Sequence, residues 1–222
     1  KRHLPNYGEF YEQRWFAPAP VNGAGVIPFA GQGPVPLMGD IVYTCSDPGL
    51  EDVRIGVEVC EDLWVPNPPS VDMALSGGAT VILNASASSE VLGKSAYRRS
   101  LVSGQSARLY CAYAYANAGE GESTTDLVFS GENIAENGSI VASTSLFSRE
   151  MAVADVDLEK LMAERRRSNT WRAGEWCVSH FQTIDFSFTE TSGGVSAACE
   201  SIAEASDQPA VLPTEDTELL LN

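Results

Sequence analysis

One cysteine sits where sulfur chemistry could be done. In the segment RIGVEVCEDLWVP, residues 54–66, Ile55, Val57 and Val59 alternate as one face of a strand. Glu-Asp-Leu-Trp and then Pro66, Pro68 and Pro69 follow, so the strand is predicted to stop at Cys60. A cysteine at the carboxyl end of an inner strand, followed by an abrupt turn, aims its sulfur out of the sheet edge, and the next backbone N–H groups face the same space. That pairs a nucleophile with half of an oxyanion hole. An unclustered cysteine in a strand is otherwise a small core hydrophobe. The flanking acids Glu58 and Glu61 oppose a thiolate, so a reactive Cys60 needs a cation nearby.

Other chemistry is less well supplied. The five cysteines (Cys45, Cys60, Cys111, Cys177, Cys199) contain no CxxC pair, and His3 and His180 have no partner at ligand spacing. Neither a zinc site nor a disulfide framework is indicated, and an odd number of scattered thiols favours the reducing cytosol. Ser192-Gly193-Gly194-Val195-Ser196 resembles the pyrophosphate loop SGGxDS but has serine in place of its aspartate, and the remaining chain cannot supply a nucleotide fold. The run Arg165-Arg166-Arg167 reads as the solvated end of a helix, where cations meet the dipole.

The elements that must position Cys60 follow α/β grammar. Asp40–Cys45 and Val53–Cys60 are predicted strands, and Ser70–Ser76 is a short helix capped by Ser70. Ala79–Asn84 (ATVILN) is predicted to be a strand buried on both faces. Lys94–Leu109 has helical spacing with its basic residues turned outward, and Cys111–Ala116 alternates as a strand. Leu127–Ser130, Ser139–Ser143 and Met151–Val156 are read as short strands, with an Asn137-Gly138 hairpin turn between two of them. Asp157–Arg167 is a helix capped by its aspartate. Ala17–Gly39, rich in Pro and Gly, is read as a long loop.

The chain's 222 residues, 44% of them hydrophobic, suffice for a packed core. Its formal charge of −16 repels phosphate backbones and anionic lipids, which argues against nucleic-acid or membrane-surface partners. No apolar run approaches the ~18 residues of a spanning helix.

Four stretches in order carry a family resemblance: Lys1 with LPNYGEFYEQRWF, then VEVCEDLW, then NASASSEVLGK, then QSARLYCAYAYANAGEGESTTDLVFSGENIAENG. From residue 1 to about residue 187 the chain resembles the glutaminase domain of glutamine-dependent NAD+ synthetases, a branch of the nitrilase (carbon-nitrogen hydrolase) superfamily. The resemblance implies an α/β fold of nitrilase type, a four-layer αββα sandwich. Residues 1–190 would be its central and C-terminal part, a fragment lacking the N-terminal part, and residues 191–222 an acidic linker toward a synthetase domain.

The resemblance also implies the chemistry. L-glutamine would be hydrolysed through a cysteine thioester, and the ammonia passed to ATP-dependent amidation of deamido-NAD+. Cys60 matches the family's nucleophile and Lys1 its lysine, while its glutamate lies upstream. Tyr7, Ser88 and Lys94 match substrate-contacting positions, and the family often has arginine where Lys94 stands. Glu12 falls where a second acid would orient Lys1, or it could pair with Arg14. Glu61 would offer its backbone N–H to the oxyanion. No cofactor is expected for the glutaminase step, whereas ATP and Mg2+ are implied for the synthetase domain. A homo-oligomer in the cytoplasm is implied as well. The 222 residues alone are expected to be inactive and poorly stable, because the general base and part of the sheet would be missing. Two alternatives stand beside this reading: a nitrilase-type hydrolase of another linear amide, sharing Cys60 and Lys1, and a non-catalytic scaffold copy.

Overall fold

The structure, a computed structural model, describes residues 1–20, 26–29, 33–119, 121–122, 127–130, 132–171 and 181–188. At its centre is a seven-stranded mixed sheet built from β3 (Ile41–Cys45), β4 (Arg54–Val59), β5 (Val81–Ser86), β6 (Ala112–Asn117), β7 (Glu132–Glu136), β8 (Ser139–Ser143) and β9 (Gln182–Phe186). The order across it is β8-β7-β6-β5-β4-β3-β9. The inner strands β4, β5 and β6 run parallel, so their carboxyl ends open on one edge. β1 (Val26–Phe29) and β2 (Gly33–Pro36) form a separate antiparallel ribbon inside the stretch expected to be a loop.

Register explains how the core is filled. Val42, Gly56, Ile82 and Tyr113 form one row across four strands, and Glu58, Asn84 and Tyr115 form the next. All seven are buried beneath α1 (Pro69–Leu75) and α2 (Lys94–Leu109). The opposite face of the sheet is open: Val57 is 42% and Leu83 38% exposed. The apolar run at β5 was expected to be covered on both sides, but among the described residues only the helical face is. That is one sheet and one helical layer of the αββα arrangement.

Several boundaries differ from expectation for local reasons. Pro69, not Ser70, opens α1, because proline is pre-set for the first helical position, and the Ser70 N–H donates to the Glu58 carboxylate at 2.9 Å. Helix α2 matches its predicted span, but its buried stripe is Arg98, Val102, Gln105, Ser106 and Leu109. Arg98 thus faces inward, where it donates to Glu90 at 2.7 Å and to the Ser130 carbonyl at 3.1 Å. Leu127–Ser130 contributes only an isolated bridge between Phe129 and Ser89, and the Asn137-Gly138 hairpin joins β7 to β8 instead. Met151–Val156 has no regular structure, and β9 has no counterpart in the sequence reading.

Helix α3 (Leu158–Arg167) is capped as expected, Asp157 accepting the Lys160 N–H at 2.9 Å. Its arginines divide, with Arg166 and Arg167 exposed and Arg165 buried. Arg165 donates to the carbonyls of Leu109 and Ala79 and lies over the Trp171 ring, so it satisfies the end of α2 rather than solvent. The proposed linker, the SGGVS loop, Cys177, Cys199 and His180 lie outside the described residues.

Two glycines in this frame are expected to respond oppositely to alanine. A Cβ on Gly77 would lie 2.6 Å from Val42 and 2.7 Å from the Met73 carbonyl oxygen, whereas one on Gly104, inside α2, meets nothing within 4 Å. Gly77→Ala should destabilise by about 1–3 kcal/mol. Gly104→Ala should stabilise by about 0.5–1 kcal/mol. Thermal unfolding of the two variants, read as Tm displaced in opposite directions, checks both.

Candidate functional site

The site is built where β4 ends. Cys60 has φ +51°, a left-handed conformation uncommon outside glycine, and the chain turns there from strand into the 3-10 turn Cys60–Leu63. Such a conformation costs on the order of 1–2 kcal/mol. The Cys60 N–H donates to Asn84 Oδ1 at 2.9 Å, which ties the turn to neighbouring β5. Asn84 in turn accepts from Ser86 at 2.8 Å and donates to the Tyr113 hydroxyl at 3.1 Å, and that hydroxyl donates to Glu58.

Glu58 is thus joined to the Cys60 turn through Tyr113 and Asn84. It is buried on the helical face, and desolvation pushes its carboxyl pKa up, against the pull of Tyr113 and Ser70. Desolvation and the adjoining Glu58 raise Tyr113 well above the usual tyrosine range. The Glu58 carboxylate is engaged there by the Tyr113 hydroxyl and the Ser70 N–H.

The N-terminal arm reaches this turn through Asp62, which is 1% exposed. Its Oδ1 accepts the N–H groups of Arg2 at 3.0 Å and His3 at 2.8 Å, while Oδ2 accepts the Val59 N–H at 3.0 Å. The guanidinium of Arg2 pairs with Asp40 and lies 3.9 Å from Asp72. Lys1 is next along the arm: its ammonium donates to both oxygens of Glu12 at 2.5 Å, and its carbonyl accepts from the Ala19 N–H at 2.8 Å. Of the two partners open to Glu12, the structure therefore selects Lys1, while Arg14 lies over the Trp15 ring at 5.9 Å.

Tyr7, Lys94 and Tyr115 come within electrostatic range of Cys60. The exposed Tyr7 hydroxyl donates to Glu61 at 2.8 Å. Desolvation and that carboxylate push its pKa up to about 12, so it stays a donor through the neutral range. Lys94 Nζ sits 5.4 Å from the centre of the Trp64 ring and donates to Ser89 Oγ at 3.4 Å. Burial pulls its pKa below the ordinary lysine value, with Glu9 opposing. Glu9 accepts from the Ser89 hydroxyl at 2.6 Å, so it is Ser89, not Ser88, that is bonded into the polar rim.

Ser88 is 3% exposed, and its backbone is gripped by Asn117, which accepts its N–H at 2.8 Å and donates to its carbonyl at 3.0 Å. A cleft of about 730 Å³ is bordered by Tyr7, Glu61, Leu4 and Val65, while Cys60 and Lys94 are not among its lining residues. Among the described residues no three His, Cys, Asp or Glu side chains converge as metal ligands, and no helix is long and apolar enough to cross a membrane.

The sequence reading missed Asp62, Asn84 and Asn117. Asn84 and Asn117 carried a signal, being amides near the carboxyl ends of otherwise apolar strands.

The family model for carbon-nitrogen hydrolases matches residues 1–166. The chain belongs to the carbon-nitrogen hydrolase family. It is 41% identical over 202 residues, 88% of its length, to the glutamine-dependent NAD(+) synthetase of Mycobacterium tuberculosis, and 30% identical over 174 residues, 75% of its length, to that of Thermotoga maritima. It spans only 29% and 26% of those two relatives. Among solved structures, it superposes on the glutamine-dependent NAD(+) synthetase of Cytophaga hutchinsonii with a TM-score of 0.52 and 31% identity, covering 74% of this chain and 26% of that one. A carbon-nitrogen hydrolase from Helicobacter pylori aligns with the same TM-score of 0.52 at 19% identity, covering 75% of this chain and 54% of that one, a likeness of fold.

For this carbon-nitrogen hydrolase, Asn84→Ala is expected to leave the Cys60 N–H and the Tyr113 hydroxyl short of a partner. The Tyr113 hydroxyl keeps Glu58, so the loss falls mainly on the Cys60 N–H and costs about 1–3 kcal/mol, and thermal unfolding should show a Tm lowered by several degrees.

Proposed function

We propose that this site hydrolyses the side-chain amide of L-glutamine and that the ammonia feeds an ATP-dependent amidation of deamido-NAD+ by a synthetase domain of the same polypeptide. One observation supports the reading above the others. A half-buried cysteine on a left-handed turn at the carboxyl end of β4 shares its surroundings with a tyrosine donor and a lysine, and the turn is bonded to the arm that carries Lys1.

In this mechanism the Cys60 thiolate attacks the amide carbon. The negative charge that develops on the oxygen is met by the Lys1 ammonium and the N–H of Glu61. Collapse expels ammonia and leaves a thioester, which water then cleaves, so one hard hydrolysis becomes two easier steps. A carboxylate must take the thiol proton, pass it to departing ammonia and activate the water. Glu12 is committed to Lys1, Glu61 to Tyr7 and Glu9 to Ser89, so we assign that task to the glutamate that the family resemblance places ahead of Lys1. Lys94 would pair with the glutamine carboxylate as a point charge rather than a bidentate fork, and Tyr7 and Ser88 would border the same ligand. ATP and Mg2+ belong to the synthetase step and take no part in amide hydrolysis. Copies of the protein would assemble as a homo-oligomer in the cytoplasm.

In the full-length protein, Cys60→Ala should abolish glutamine-dependent NAD+ formation and leave formation from added ammonia intact. Comparing ammonia release from glutamine, asparagine and simple aliphatic amides tests the substrate. Glutamine hydrolysed no faster than the aliphatic amides would overturn the glutaminase reading in favour of a general amidase.

The lowered pKa of Lys94 sets a pH dependence. As pH rises, its ammonium is neutralised earlier than that of a free lysine, and the glutamine carboxylate loses its partner. KM for glutamine should therefore climb on the alkaline side below the ordinary lysine pKa. Lys94→Arg, which stays charged there, should remove that climb from the KM profile.

A further inference from the structure

We infer that Asp62 is a positioning residue for the reaction: it holds the Lys1 arm against the Cys60 turn, so the reactivity of the sulfur depends on a carboxylate that does not touch the substrate. The inference rests on the reading that Cys60 and Lys1 act together.

Asp62 lies in the turn that Cys60 begins, and its carboxylate is shared between two segments some sixty positions apart in the chain. From the arm it takes the N–H groups of Arg2 and His3 at 3.0 and 2.8 Å; from its own strand it takes the Val59 N–H at 3.0 Å. Among the described residues no cation pairs with it, and the Arg2 guanidinium goes to Asp40 and Asp72. A carboxylate 1% exposed is thus held by main-chain donors alone among its bonded partners. Those donors belong to Val59, which adjoins Cys60, and to Arg2 and His3, the two residues that follow Lys1. The carboxylate therefore fixes backbone positions, and Glu12 and the Ala19 N–H fix what remains of Lys1.

An amide cannot do this work. Asparagine offers one oxygen, and its NH2 group would face a backbone N–H whichever way it turned. A loosened arm moves the ammonium relative to the sulfur, and a misplacement of about 1 Å can cost about 100-fold in rate.

The test is a double-mutant cycle in the full-length protein with Asp62→Asn, Lys1→Ala and the double variant. It follows glutamine-dependent ammonia release and the pH profile of Cys60 alkylation by iodoacetamide. Synthesis from added ammonia serves as the check that each variant is folded. We expect Asp62→Asn to lower kcat by up to about 100-fold and to displace the alkylation profile to higher pH, as Lys1→Ala does. In the Lys1→Ala background it should have little further effect, because both changes remove the same influence on the sulfur. A merely structural Asp62 would give additive losses and an unmoved alkylation profile, and either result overturns the inference. Should Asp62→Asn lose ammonia-dependent synthesis, Asp62→Glu takes its place in the cycle: the carboxylate is kept but lengthened by one methylene, and the same non-additivity is expected. Wild-type rates in whichever of the two variants folds also overturn it. If Lys1→Ala itself leaves ammonia release unchanged, the underlying reading of the site fails, a result distinct from failure of the Asp62 inference alone.

Discussion

The arrangement around Cys60 depends on a buried carboxylate whose bonded partners, among the described residues, are peptide N–H groups. Asp62 is nearly inaccessible, and the groups bonded to it come from the end of β4 and from the N-terminal arm. A hydrogen bond to a charged acceptor contributes about 1.5–3 kcal/mol, more than a neutral one, and its direction is fixed by the main chain. A salt bridge at this place would join two flexible side chains. Main-chain donors join two backbones, which is what a site assembled from remote segments requires.

The same solution recurs in the layer beneath. The two rows under α1 and α2, which would normally be aliphatic, contain Glu58, Asn84, Tyr113 and Tyr115, and α2 turns Arg98 and Gln105 inward. Arg98 holds Glu90 and the Ser130 carbonyl, Asn117 grips the Ser88 backbone and reaches Ser130 as well, and Gln105 donates to Ser70 at 2.9 Å. The bonds of Arg98 and Asn117 fix the loops that leave β5 and β6, and that of Gln105 ties α2 to α1. Apolar packing alone could fill the volume, but it would not define where those loops stand.

What could be read from the sequence followed from periodicity and turn chemistry. The α2 span, the hairpin at Asn137-Gly138, the Asp157 cap and the end of a strand at Cys60 are all local signals, and the structure has each of them. The strand β9 is not local. It pairs in parallel with β3 across about 140 positions, so its stability comes from a neighbour the sequence does not place beside it. Sidedness failed where a charge had a buried partner: Arg98 and Arg165 look like surface residues until Glu90 and the carbonyls of Leu109 and Ala79 are brought to them. At the site, the pairing of Glu12 with Lys1 was one of two readings the spacing allowed, whereas Asp62 was hidden because its partners are backbone groups that no side-chain pattern advertises.

The left-handed backbone at Cys60 sets stability against reactivity at a single position. Any residue with a Cβ is under strain there, and glycine alone adopts the angle freely. A laboratory campaign that selected this protein for heat resistance, with no selection for turnover, would therefore be drawn toward replacing the sulfur with nothing at all.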